Sequence, residues 1–179
     1  MHIMDILQNS TRAKANNITL EVLENHDADT LTLIFKDDGC GMSAETVEKV
    51  TNPFFTTRTT RKVGLGVPLF KLSAEQTGGS FEIRSKVGEG TVTTASYVKS
   101  SVDMTPLGDI NSTVKIRIQC NPDIDFVFFH STDTGSFTLD TRELREVLEG
   151  VSLDTPSVLE WIGDFLEENT QNIYGGALS

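Results

Sequence analysis

Apolar residues in the first hundred positions follow helical spacing in some stretches and strand-like spacing in others. Alternating apolar positions predict strands at about 18–23, 30–36, 80–85 and 91–98. Residues 2–14 instead carry apolar or small side chains three and four positions apart, which predicts an amphipathic helix. The members of that helical stripe are Ile3, Ile6, Leu7, Ser10 and Ala13.

Two further helices complete the pattern of this first segment. Ser43 is a candidate N-cap for a short helix that ends near Val50. Residues 65–77 are predicted to be helical, and Gly78-Gly79 ends that helix. The resulting order α-β-β-α-α-β-β predicts an α+β fold, with a mixed sheet and helices on one face.

Residues 100–179 are predicted to form an α/β extension that packs on a first domain of residues 1–99. The stretch 110–120 fits a helix capped by Asp109, but its alternating apolar positions also fit a strand. A hairpin is predicted from strands Asp125–His130 and Phe137–Asp140, followed by helices near 141–149 and 156–169. The run Phe126–Phe129 is typical of a strand buried on both faces.

Charge and composition narrow the classes of partner. The 179 residues carry a net charge of −11, which argues against nucleic acid as a general partner. No apolar run approaches the roughly 18 residues of a membrane span, and no signal peptide opens the chain. We therefore expect a cytoplasmic protein without a membrane partner, in which Cys40 and Cys120 are reduced.

The turn that follows the second strand is the first candidate site. Its sequence, Asp37-Asp38-Gly39-Cys40-Gly41-Met42, places a carboxylate at a strand end beside two glycines. Such a carboxylate can accept a hydrogen bond from the exocyclic amine of adenine, while glycines let the backbone approach a flat base. An ordinary Asp-Gly turn is the alternative reading of the same residues.

The first helix supplies the second candidate site. Asp5 and Asn9 lie four residues apart and therefore share one helix face. A neutral amide oxygen is a suitable Mg²⁺ ligand beside phosphates and water, so Asn9 is the candidate metal ligand. Asp5 is the candidate general base that would polarise an attacking water. Two solvent-facing polar residues are the alternative.

These motifs, taken in order along the chain, resemble the ATP-binding domain shared by gyrase, related heat-shock chaperones, sensor histidine kinases and mismatch-repair ATPases. Asp5–Ala15 is similar to the N box of that family, and Asp37, Gly39 and Gly41 to its first glycine box. The later boxes are matched by Pro53–Thr57, by Gly64 with Gly66, and by Gly88–Thr91. More narrowly, the chain resembles small stand-alone histidine-kinase-like ATPases of anaerobic bacteria.

The resemblance implies a Bergerat-type α/β sandwich that binds ATP and Mg²⁺. It also implies a set of nucleotide-contacting residues. These are Asn9, Arg12, Asp37, Gly39, Gly41, Thr56, Thr57, Arg58, Arg61, Lys62, Gly64, Leu65, Gly66 and Thr91.

Two positions depart from parts of the family. Hydrolytic branches usually carry Glu where this chain has Asp5, and the shorter side chain weakens the case for hydrolysis. Arg12 stands where the mismatch-repair and gyrase branches generally have Asp, and a basic residue there points to the kinase branch. A phosphoacceptor histidine on a helical hairpin is not found in the sequence, so any acceptor is expected on another protein.

Three functions remain open at this point. The first is a Mg-ATP-binding regulatory protein, either an ATPase that hydrolyses slowly or a histidine-kinase-like phosphotransferase acting on a partner protein. The second is a trans-acting Ser/Thr/His kinase resembling anti-sigma regulators, and the third is a non-catalytic nucleotide-sensing module. Residues 100–179 are the expected contact for a protein partner or for a second copy of the chain.

Overall fold

The computed structural model describes residues 2–52 and 66–175. Within those residues the helices are α1 (Ile3–Arg12), α2 (Ala44–Thr51), α3 (Gly66–Gln76), α4 (Ile110–Cys120), α5 (Thr141–Leu148) and α6 (Pro156–Ile173). The strands are β1 (Asn17–Asn25), β2 (Thr30–Asp37), β3 (Ser80–Lys86), β4 (Gly90–Val98), β5 (Asp125–Thr132) and β6 (Gly135–Asp140).

All six of these strands form one sheet, in the order β3-β4-β2-β1-β5-β6. β1 and β5 pair in parallel, whereas each other neighbouring pair is antiparallel. The sheet is therefore mixed, and the expected α+β architecture is confirmed. Because β5 lies beside β1, residues from the extension continue the same sheet as the first segment.

One face of the sheet forms the core. Leu20 of β1 lies opposite Phe35 of β2 and Phe128 of β5, and all three side chains are buried. Leu7 from α1 and Leu166 from α6 belong to the same hydrophobic cluster, so the helices cover this face. The alternation of buried and partly exposed residues along β1, β2 and β5 follows the period of two expected for a half-buried sheet.

Two sequence expectations are settled by this arrangement. Residues 110–120 are helical: Val114 and Ile118 are buried, and the backbone N–H of Ser112 donates to the capping carboxylate of Asp109 at 2.8 Å. The expectation that the run 126–129 is buried on both faces was wrong. Phe126 and Phe128 are buried but their neighbours are partly exposed, because the described helices cover only one face.

Arg117 joins the extension to α1. Its guanidinium is buried, and Nη2 donates to the carbonyl oxygen of Leu7 at 2.9 Å and to the hydroxyl of Thr11. Burial lowers the pKa of this guanidinium. A buried cation is costly unless it is hydrogen-bonded, so these contacts fix α4 against the helix that carries Asp5 and Asn9.

Two further observations concern the cysteines and the length of the helices. Neither Cys40 nor Cys120 forms a disulfide, and both are exposed. None of the described helices is long and apolar enough to cross a membrane.

Candidate nucleotide-binding site

A cavity of about 290 Å³ lies beside the end of β2 and brings several predicted site residues together. α1 contributes Asn9 and Arg12, the turn after β2 contributes Gly41, and Asp37 and Thr91 come from neighbouring strands. An apolar wall completes it, formed by Ile6, Phe35, Val50, Val67 and Ile83. A site with this size and mixture of walls suits a ligand that has both an apolar and a polar part.

Asp37 is held by two donors. The Ser10 hydroxyl donates to its Oδ2 at 2.8 Å, and the backbone N–H of Gly39 donates to its Oδ1 at 3.0 Å. A carboxylate has about four acceptor sites, so Asp37 keeps capacity for a ligand donor. Its orientation is thus fixed before any ligand arrives.

Ser10 was not among the residues that the sequence singled out as functional. It lies on the buried stripe of α1 and is almost fully buried. The only sequence indication is that a hydroxyl occupies a position of an otherwise apolar or small stripe. A buried hydroxyl needs a partner, and the structure provides the Asp37 carboxylate.

The two glycines of the first glycine box are required by close packing of the protein itself. Gly41 lines the cavity and has a positive φ of 65°, and a Cβ there would lie 1.9 Å from the carbonyl oxygen of Lys86. Gly39 does not line the cavity; a Cβ on it would lie 2.7 Å from that of Ala13. The turn can therefore approach both α1 and the β3–β4 hairpin only because these side chains are missing.

Thr91 lies directly opposite Asp37 in the β2–β4 pairing and lines the same cavity. Its hydroxyl is 2.8 Å from the Ser85 hydroxyl, which in turn accepts a hydrogen bond from the backbone N–H of Met42 at 2.8 Å. This chain of contacts connects Thr91 to the turn that carries Gly41. Thr91 is consequently well placed to contact a ligand beside Asp37.

Asp5 is arranged differently from Asn9 and Arg12. Its side chain is about half exposed and does not line the cavity, and its Oδ2 lies 3.2 Å from the ring Nδ1 of His2. α3 begins close by, since a Cβ on Gly66 would lie 2.6 Å from the Cβ of Asp5. The structure thus brings together the N box and the start of α3, but it leaves the candidate general base outside the lining of the cavity.

Seven of the predicted contacts lie outside the described residues. They are Thr56, Thr57, Arg58, Arg61, Lys62, Gly64 and Leu65.

Within the described part of the chain, Arg12 and Asp37 are the charged residues that line the cavity. No group of three or more His, Cys, Asp or Glu residues there is arranged to hold a metal ion. In proteins Mg²⁺ keeps several waters and binds through substrate phosphates and one or two protein oxygens. Asn9 offers such an oxygen.

Comparison with known proteins identifies the family of this chain. The family described as "Histidine kinase-, DNA gyrase B-, and HSP90-like ATPase" matches residues 2–102. A putative sensor protein of Shewanella frigidimarina is 32% identical over 91 residues, which cover 50% of this chain and 14% of that protein. Sensor protein SrrB of Staphylococcus aureus is 31% identical over 96 residues, covering 50% of this chain and 16% of its own length.

These relatives are much longer than the region they share with this chain. Among solved structures, the Aquifex aeolicus MutL ATPase domain complexed with ADP aligns with 82% of this chain and 67% of its own. Its sequence identity is 16% and its TM-score 0.46. The family match covers more than half of the chain. The chain therefore belongs to the histidine kinase-, DNA gyrase B- and HSP90-like ATPase family.

Proposed function

We propose that the chain binds ATP with Mg²⁺ in the cavity beside β2 and uses it for slow hydrolysis or for phosphoryl transfer to a partner protein. The observation that carries the proposal is the Asp37 carboxylate, which Ser10 and Gly39 hold on the wall of an apolar cavity. A fixed anion at that place would select a flat base that presents an exocyclic amine.

The adenine end of the ligand would lie against the apolar wall. Phe35 and Ile83 offer surface for the base, while Asp37 and Thr91 offer polar contacts at its edge. Because the protein donors already fix Asp37, the base would not need to order this carboxylate on binding. Preorganisation of this kind lowers the entropic cost of association.

The phosphate end would lie near α1. Asn9 would hold Mg²⁺ through its amide oxygen, and Arg12, three residues later, would contact the phosphates. The metal would supply neutralisation of phosphate charge, which is the main requirement of phosphoryl transfer. Gly66 at the start of α3 and the basic residues Arg58, Arg61 and Lys62 are further proposed phosphate contacts.

Calorimetry with ATP and ADP tests the binding step. Asp37→Asn removes the charged acceptor, and we expect affinity to fall by about 1.5–3 kcal/mol, or roughly 10- to 150-fold. Asp27→Asn, in an exposed turn, removes the same charge away from the cavity and should leave affinity unchanged. Wild-type affinity in a folded Asp37→Asn protein would refute the proposed base contact.

Incubation with γ-labelled ATP, alone and with cell extract, separates the fates of the phosphate. Release of free phosphate by the pure protein indicates hydrolysis, and label on another protein indicates transfer. The sequence predicts an acceptor on another protein, and label found there would support that prediction. Residues 100–179, or a second copy of the chain, are the proposed contact for that partner.

A second candidate function is nucleotide sensing without turnover. The position of Asp5 favours it, since this carboxylate is half exposed, lies against His2 and does not line the cavity. A sensor would retain intact ATP in both labelling experiments. Under the hydrolytic alternative, Asp5→Asn should abolish phosphate release while leaving the affinity for ATP unchanged.

A further inference from the structure

A second cavity, of about 320 Å³, lies toward the other end of β2. Leu31 near the start of this strand lines it, whereas Phe35 and Asp37 near the end line the nucleotide cavity. Its remaining walls come from the end of β1, the connection that leads into α4 and the first residues of α4. Strand β5, the last part of α6 and the residue after α6 complete it. It is therefore formed jointly by the ATP-binding segment and the extension.

Glu24 is the most unusual group in this cavity. One of its carboxylate oxygens accepts hydrogen bonds from the Nε2 of His130 at 3.1 Å and from the hydroxyl of Tyr174. The other accepts from the ammonium of Lys99 at 2.8 Å. Although burial raises its pKa, the hydrogen bonds from His130, Lys99 and Tyr174 bring the pKa of Glu24 down to about 2. Glu24 is thus an anion at neutral pH, with one of its roughly four acceptor sites unused.

The balance of charge around the cavity is negative. Among the described residues, the charged side chains that line it are the carboxylates of Glu24 and Asp109 and the ammonium of Lys99, so their formal sum is −1. His130 is almost fully buried, and its Nδ1 has no hydrogen-bond partner among the described residues. The other ring nitrogen, Nε2, lies 3.1 Å from the Oε1 of Glu24 and holds this carboxylate at the cavity.

The other walls suit an apolar body and an aromatic contact. Leu31, Met104 and Leu107 provide the apolar surface. Tyr174 is half exposed and stands edge-on to the His130 ring, with the ring centroids 5.9 Å apart. A tyrosine ring near a carboxylate favours organic cations, since the ring face attracts positive charge.

We propose that this cavity binds a small organic cation, an ammonium group on an apolar body, with Glu24 as its anionic contact. The ammonium takes the unused acceptor site of Glu24 or displaces the Tyr174 hydroxyl from it. The apolar body lies against Met104 and Leu107. The net charge of the chain, −11, further favours cations over anions at this site.

Nuclear magnetic resonance with three matched probes tests this assignment on the full chain. Benzylamine, benzyl alcohol and benzoate share one apolar body and differ in charge. Benzylamine should cause saturable shifts at the amides of Leu107, Ile110 and Tyr174, and should bind at least about tenfold more tightly than the other two. Equal or tighter binding of benzoate, or benzylamine shifts centred on Ile83 and Thr91, would overturn the proposal.

Two substitutions complete the test. Glu24→Gln removes the anion with little change of shape and should weaken benzylamine binding at least about tenfold. Met104→Trp keeps Glu24 but fills the cavity, and should abolish the shifts; this variant decides the question if Glu24→Gln does not fold. Unchanged benzylamine binding in either folded variant would show that the cation does not occupy this cavity.

Discussion

The buried hydroxyl of Ser10 is predicted to control nucleotide affinity through Asp37. In Ser10→Ala the Oδ2 of Asp37 loses a donor that lies 2.8 Å away. Water can replace this donor while the cavity is open, but a bound base would exclude that water. A hydrogen bond to a charged group contributes about 1.5–3 kcal/mol. We expect the loss to be near the lower limit, which is roughly a tenfold weaker binding of ATP and ADP.

Calorimetry on Ser10→Ala, with Ser73→Ala as the matched control, measures this effect. Ser73 is also a helical serine and is partly buried. Its hydroxyl donates to the Phe70 carbonyl at 2.8 Å, but it does not line the cavity. The control should bind nucleotide like the wild type. The double variant Ser10→Ala/Asp37→Asn should be no weaker than Asp37→Asn alone, because contacts in one network are not additive. An unchanged affinity in folded Ser10→Ala, or fully additive losses, would show that Ser10 does not act through Asp37.

Three other predictions concern the metal, the buried carboxylate and the turn. Asn9→Ala should fold, because Ala favours helices, and calorimetry should show that it has lost most of the Mg²⁺-dependent gain in ATP affinity. Gln8→Ala, at an exposed position of the same helix, is the control. A retained Mg²⁺ response in Asn9→Ala would exclude Asn9 as a ligand. The pKa of Glu24 is lowered from 4.5 to about 2 in the folded protein. The ionised carboxylate therefore stabilises the fold above pH 4.5 by at most about 3 kcal/mol. This contribution is lost as the pH falls toward 2. Urea unfolding of the wild type should therefore show a steeper loss of stability between pH 5 and pH 3 than unfolding of Glu24→Gln, and parallel curves would contradict this. Gly41→Ala should lower the free energy of unfolding by at least about 2 kcal/mol, because the new Cβ has no space. Gly88 also has a positive φ but lies in open space, so Gly88→Ala should lower the free energy of unfolding by only about 1 kcal/mol. Equal losses would refute the packing argument.

The local elements of this fold could be predicted from the sequence because their patterns are short-ranged. The stripe on α1 and the alternation along β1 and β2 each depend on a few neighbouring residues, and the structure has all three elements close to their predicted bounds. The turn at Asp37 could also be identified, since a carboxylate and two glycines at a strand end are visible in sequence. Its role as an adenine contact came from the order of the family motifs and stays a prediction.

Contacts between distant residues were decided only by the tertiary structure. Residues 110–120 fitted a helix, with a strand as the alternative, and burial of Val114 and Ile118 against the core selected the helix. Pairing of β5 with β1 depends on register between segments more than one hundred residues apart. The contact between Ser10 and Asp37 spans 27 residues, and the cluster around Glu24 gathers side chains from both ends of the chain. Sequence periodicity indicates which face of an element is buried, but not which partner lies there. The partner decides which contacts a buried serine or glutamate can make.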